Sequence, residues 1–153
     1  MCVDLIKESF NPQASLVAKC ERCSHDKDVE IKQTNILLYA PNVLAVQLLR
    51  FKNNAGVWTK NSQPVLCEKK IYFQSPGENA TIYQHKATVS HSGLNATSGH
   101  YVAYKKFQNQ YFRLSDTHGS QITRGTFNNA ALLGVNTATQ ETPYVLIYDK
   151  ISN

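Results

Sequence analysis

No apolar run in these 153 residues approaches the roughly 20 that a membrane-spanning helix needs, so no bilayer span is expected. The opening stretch "MCVDLIKESF" carries acidic residues early and has no apolar signal core, which predicts a protein that is not secreted. The N-x-T sequons at Asn79 and Asn95 are then expected to be unmodified. Charge is sparse as well. Charged residues are 18% of the chain, and the net charge of +5 is spread rather than gathered. The densest basic patches, "CEKK" and "YKKF", hold two lysines each; with neither a basic stripe nor a recognisable module, nucleic acid is not an expected partner. Cysteine is scarce: Cys2, Cys20, Cys23 and Cys67 are the four present. Without a secretion signal they predict reduced thiols and a cytoplasmic or nuclear protein. Cys67, inside the apolar stretch "QPVLCEKKIYF", reads as a buried strand residue. Internal repeats, low-complexity tracts and evident linkers are missing too.

What is present is enough for one domain with a core. Hydrophobic residues make up 42% of the chain, the composition of a globular protein. The spacing of Val3, Leu5, Ile6 and Phe10 predicts a short amphipathic helix, broken at Asn11-Pro12. A polar stretch around "CERCSHDKD" follows. From there on, alternation and β-branched residues dominate, separated by turn signals such as "PN", "NNAG", "SPGEN" and "HSGLNATSG". The expected strands are Val29–Leu38, Val43–Phe51, Pro64–Phe73, Ile82–His91, His100–Phe107, Tyr111–Leu114 and Tyr144–Tyr148. "TRGTFNNAALLG" is the later helix candidate, its final glycine suited to a C-cap. The expected fold class is α+β with a largely antiparallel sheet.

Three sets of residues bear on chemistry. His100, in "SGHYVAY", opens a strand entered from a glycine-rich loop, a position that faces a cleft. Imidazole titrates nearest neutrality, so it suits proton transfer, although a histidine at a strand edge is often only structural. "NQYFRLSDTHG" ends the next strand in Ser115-Asp116, and the short turn between the two strands predicts a hairpin. His100 and Ser115-Asp116 would then share one sheet edge, where an acceptor could fix the imidazole tautomer. Ser115-Asp116 reads equally as turn chemistry, since both types favour turns. Cys20 and Cys23 form a lone C-x-x-C. A tetrahedral zinc site needs four ligands and this pair supplies two, with His25 or Cys2 as further candidates. No thioredoxin-like βαβ pattern surrounds it.

Taken together these segments resemble the C-terminal half of the ubiquitin-specific protease catalytic domain, a family of papain-like cysteine peptidases. "KCERC" is similar to the second cysteine pair of the family's zinc-binding fingers, and "APNVLAVQLLRF" to its strand ending in Leu-x-Arg-Phe. "YQHKATVSHSG" followed by "SGHYVAY" resembles the catalytic histidine box, "YFRLSD" the strand leading to the third triad residue, and "PYVLIYDK" the closing strand. The resemblance spans nearly the whole chain. It implies a palm sheet over 36–153 with a remnant of the fingers over 1–35, a structural zinc half-site at Cys20 and Cys23, and no cofactor in catalysis. It implies ubiquitin or ubiquitinated proteins as partners, together with an N-terminal half of the catalytic domain. His100 would be the general base for a cysteine thiol that attacks the carbonyl of ubiquitin's C-terminal glycine. Ser115 would be its third member, with Asp116 following it.

The departures from the family pattern matter. The cysteine box that holds the nucleophile is absent from this sequence, and so is the first finger cysteine pair. Cys2 precedes a predicted helix, but "MCVDL" lacks the box, so it is not expected to be the nucleophile. Oxyanion donors would come from elsewhere as well. The implied activity is therefore deubiquitination to which this chain brings the histidine and its orienting residue; the alternative is a catalytically silent ubiquitin-binding or scaffold module. Ser115 stands where the family usually has Asp or Asn followed by Asp, a serine variant that also occurs within the family. His85 stands where the family generally has leucine; a buried histidine there would need a hydrogen-bond partner, and a looser sheet edge is the expectation.

Overall fold

The computed structural model describes residues 16–19, 22, 28–31, 39–73, 80–116, 118–133 and 141–151. The expected helix from Val3 to Phe10 falls outside them, as do Cys2, Cys20, Cys23 and His25.

Alternation of apolar and polar residues builds the strands in order. β1 (Leu16–Lys19) and β2 (Asp28–Ile31) form an antiparallel pair of their own. β3 (Val43–Gln47), β4 (Phe51–Asn54) and β5 (Val57–Lys60) follow. The expected single strand Val43–Phe51 is thus cut at 48–50. There the backbone turns so that Arg50, which is buried, donates from Nε to Pro143 O and from NH1 to Asn61 O and Gln63 O. The turn of the β4–β5 hairpin is Ala55-Gly56, both at positive φ, the geometry that matches strand twist in a two-residue loop. Pro64–Phe73 yields only a short strand, β6 (Lys70–Phe73). Cys67 is buried as expected, but in the irregular segment before β6, its N–H donating to Leu132 O.

β7 (Thr81–Ser92) and β11 (Glu141–Ile151) form the long axis of the main sheet, paired over their whole lengths. Because β11 takes one side of β7 entirely, the other side is shared. β6 pairs with residues 81–84 and β8 (His100–Phe107) with residues 87–92. The sheet runs on through β9 (Gln110–Ser115) to β10 (His118–Ile122), and on the far side of β11 it ends at β3. All these pairings are antiparallel. β8 and β9 are joined by a two-residue turn, the hairpin expected from "KFQNQ".

A register shift opposite Ile147/Tyr148 leaves Lys86 as an extra residue in β7, a bulge at the point where β6 gives way to β8. Inward-facing positions therefore change phase, from Tyr83 and His85 before the bulge to Thr88 and Ser90 after it. This corrects the expectation for His85. The sheet edge there is not loose: His85 is buried against Tyr148 and Phe127, its backbone N–H donates to Lys69 O, and its Nε2 lies 2.8 Å from Thr88 Oγ1. Thr88 in turn donates to Ala131 O, so its oxygen accepts from His85 Nε2–H.

The segment expected as a helix is a single α-turn, α1 (Arg124–Phe127), continued as a π-helical stretch over Asn128–Leu133. Thr123 caps it by accepting from Thr126 N–H. Phe127, Ala130 and Ala131 cover Val102 and Tyr104 of β8, while Leu132 joins a second cluster with Ile71, Tyr83, Leu146 and Tyr148. Burying the large apolar ones, such as Phe127, Leu132 and Leu146, contributes roughly 1.5–3 kcal/mol each. The three fully buried tyrosines keep their hydroxyls satisfied: Tyr83 donates to Pro41 O, Tyr148 to Glu68 O and Tyr104 to the Glu141 carboxylate.

Candidate active site

On β8, side chains two apart share a face, so His100, Val102, Tyr104 and Lys106 lie in one row. Val102 and Tyr104 are the buried middle of that row, and His100 is its half-exposed end. The neighbouring strand β9 presents Tyr111, Arg113 and Ser115 to the same side. His100 Nε2 lies 2.7 Å from Ser115 Oγ. Two of the three residues singled out from sequence are therefore in direct contact.

The third is brought in as well. Asp116 adopts a positive φ of 45°, which breaks strand alternation at the end of β9. Its carboxylate consequently comes round to the other ring nitrogen, with Oδ2 3.5 Å from His100 Nδ1. Strand geometry alone favoured one partner for His100; the turn at Asp116 gives it two, one at each nitrogen. They differ in kind. Ser115 makes a short contact with a partly buried hydroxyl, whereas the Asp116 side chain is 75% exposed. When Nε2–H donates to Ser115 Oγ, the Nδ1 lone pair is free to take a proton. Once protonated, Nδ1–H faces a carboxylate.

The loop before His100 is held by groups that gave no sequence signal. Lys60, at the end of β5, donates from Nζ to His91 O at 3.0 Å and to Gly93 O at 2.7 Å. Burial, then the nearby Arg50 charge, lowers the Lys60 pKa from its usual value. Gly99 (φ 150°) packs on the His91 ring so closely that an added Cβ would lie 2.3 Å from Nε2 and 2.4 Å from Ser92 O. His91 is buried between Phe51 and Tyr101, and its pKa is lowered by burial first and by Lys60 second. Glycine before a histidine was visible in the sequence as loop chemistry. Its need for close backbone approach was not, because His91 lies eight residues earlier.

Beside this loop is an open depression of about 390 Å³, walled by Phe51 and Trp58 of the hairpin, by Thr97, and by Tyr101 and Tyr144. Tyr101 follows His100 directly. A buried carboxylate also supports the site: Glu141 accepts from Arg113 at 2.6 Å and from Tyr104, tying β8 and β9 to the start of β11. The Arg113 pKa is raised, chiefly by that hydrogen bond. Among the described residues no group of three or more His, Cys, Asp or Glu could hold a metal ion. Nor is any described helix long and apolar enough to cross a membrane. Cys20 and Cys23, the expected zinc ligands, lie outside the described residues.

An antiparallel sheet with a histidine at one edge, oriented by the end of the next strand, defines the C-terminal half of a papain-like cysteine peptidase fold. Comparison with known proteins gives the family. The family model described as ubiquitin carboxyl-terminal hydrolase matches residues 2–148, and the chain belongs to that family. Ubiquitin carboxyl-terminal hydrolase 10 of Saccharomyces cerevisiae is 34% identical over 111 residues, covering 66% of this chain and 14% of the relative. A structure of the yeast SAGA DUB module aligns over 99% of this chain and 33% of the matched chain, with a TM-score of 0.77 at 22% identity. A SAGA DUB module bound to monoubiquitin gives 0.71 at 24% identity, over 99% of this chain and 32% of the other. These likenesses show the fold. The chain spans about a seventh of the length of its curated relative and a third of these structures.

Proposed function

We propose that this chain carries the general-base half of a thiol-dependent deubiquitinase, hydrolysing bonds to the C-terminal glycine of ubiquitin. The observation that carries the reading is the 2.7 Å contact of His100 Nε2 with Ser115 Oγ in a member of this family. In the proposed cycle Ser115 fixes the tautomer, and Nδ1 accepts the proton of a cysteine thiol that the N-terminal half of the domain supplies. The thiolate attacks the glycine carbonyl carbon, and Nδ1–H then gives its proton to the leaving amine. Water, deprotonated by the same nitrogen, cleaves the thioester. Asp116 lies where it offsets the imidazolium charge. The aromatic depression beside Tyr101 suits an extended apolar peptide tail, and ubiquitin in complex with a structurally similar module supports ubiquitin as the partner. A zinc half-site at Cys20 and Cys23 belongs to the same proposal, with two thiolates awaiting two further ligands.

The test is release of a fluorophore from the C-terminus of ubiquitin, by the chain alone and by the chain mixed with a cysteine-box half of a family relative. No turnover alone, and turnover in the mixture that His100→Ala abolishes, is the expected result. Turnover by the chain alone that Cys2→Ser removes would place the nucleophile within this sequence and overturn the division of labour. Ubiquitin binding without activity in any mixture would leave the silent binding module as the function.

A further inference from the structure

One lysine from each of the basic pairs in "CEKK" and "YKKF" is brought to a common pocket by the way β7 is shared. β6 and β8 flank the Lys86 bulge, so Lys69, just before β6, and Lys106, near the end of β8, stand on either side of the gap. Arg124, at the start of α1, closes the third side. The pocket they line has a volume of about 140 Å³, well below the roughly 300 Å³ at which small-molecule pockets begin. Its remaining lining includes Gln84, Tyr111 and Asn128, which can donate hydrogen bonds, and the buried His85. No carboxylate lines it. Two larger depressions adjoin it and share Lys106. Among the residues of all three the one carboxylate is Asp149, already paired with Lys86 at 3.1 Å.

We infer that this pocket is a binding site for a single phosphate-class oxyanion, held by Lys69, Lys106 and Arg124 at the split in the sheet. Three cations from three separate parts of the chain line a space of the size of one tetrahedral anion. An anion seated there would be attracted by positive charge from three sides. Arg and Lys also make charge-assisted hydrogen bonds to such an anion, which are stronger than neutral ones. The site stands at the opposite end of the β8 row from His100, about 20 Å away at strand rise, so it is separate from the candidate active site.

His85 supplies a readout that loose surface binding would not move. Burial lowers its pKa to about 4. The charged and titratable groups around it are Lys69, Lys106, Arg124, Tyr111 and Tyr148, with Lys86, Lys150 and Asp149 in the adjoining depression, where Asp149 is paired with Lys86. An anion seated among them therefore favours its protonated form, and the pKa rises on binding.

The experiment is NMR titration of the whole chain with inorganic phosphate at pH 7, ionic strength held constant with sodium chloride. Saturable shifts are expected at Lys69, Gln84, Lys106 and Arg124. Lys106→Gln and Lys69→Gln should each weaken binding about tenfold, the loss of one charge-assisted hydrogen bond. Lys150→Gln, which alters only an adjoining depression, should change it less than twofold. Sulfate, which does not titrate in the relevant range, should raise the His85 pKa in a companion pH titration. Should Lys106→Gln fail to fold, the exposed Arg124→Gln makes the same test. Non-saturable shifts no larger than those from chloride, or equal affinity in the lysine variants, would overturn the assignment.

Discussion

His100 touches two residues through two nitrogens, and the two contacts should respond differently to substitution. Ser115 makes the shorter and less exposed one, so Ser115→Ala is expected to lower kcat/KM of a reconstituted enzyme by roughly tenfold to a hundredfold. Asp116 acts from 3.5 Å through solvent-exposed charge, and Asp116→Ala should cost only about threefold at physiological salt, more at low salt. A silent Ser115→Ala beside an Asp116→Ala as severe as His100→Ala would exchange the two roles. Gly99→Ala belongs at this scale too. A Cβ there meets the His91 ring and the Ser92 carbonyl at distances no packed side chain tolerates, on a backbone that favours glycine. A loss of about 2 kcal/mol in urea unfolding, with displaced His100 ring signals, is the expected outcome. The juxtaposition of His100 and Ser115 was legible because strand-end position and hairpin spacing are local. The double engagement was not, since it depends on a positive φ at Asp116 that no neighbouring residue announces.

Among the elements, the β4–β5 hairpin and the Gly93–Gly99 loop stand or fall together through one side chain. Lys60→Met keeps the aliphatic length but removes both hydrogen bonds to the loop. Faster amide exchange confined to residues 93–100, with global stability changed by less than about 1 kcal/mol, is what hydrogen exchange should record. At the other side of the site, Glu141→Gln removes the charge that joins Arg113 to β11 and should destabilise by about 2 kcal/mol, measured by thermal or urea unfolding. Most strands could be read from alternation: β7 and β8 came within a residue of their bounds. β10 escaped because "HGSQI" has one apolar residue, and it is held by pairing with β9 rather than by burial. The bulge at Lys86 was equally hidden. It exists because one strand must serve two partners, which is a property of the sheet and not of the segment.

For the molecule as a whole, His85 ties stability to pH. Its folded pKa of about 4 lies below the unfolded value of 6.5, so between these the unfolded chain takes up a proton that the folded one refuses. Stability is therefore full above pH 6.5 and falls as pH drops through 4, by an amount on the order of 3 kcal/mol. His91, whose pKa is also lowered, adds in the same direction. Urea unfolding at pH 7.5 and 5 should show the decline, and His85→Leu should flatten part of it; an unchanged slope in that variant would acquit His85. The order in which the chain is made adds a different constraint. β11 lies between β3 and β7, yet of the described strands it leaves the ribosome last. Until then β3, made about a hundred residues earlier, has no neighbour among the described strands to pair with, and β7 has one side open along its length. The nascent sheet thus waits for the strand that joins β3 to β7, and the slow closure of such long-range pairings leaves two edges exposed to other chains. A stop codon before Glu141 should accordingly yield an aggregating product, not a smaller folded one, and co-translational chaperone demand should persist until residue 151 has cleared the exit tunnel.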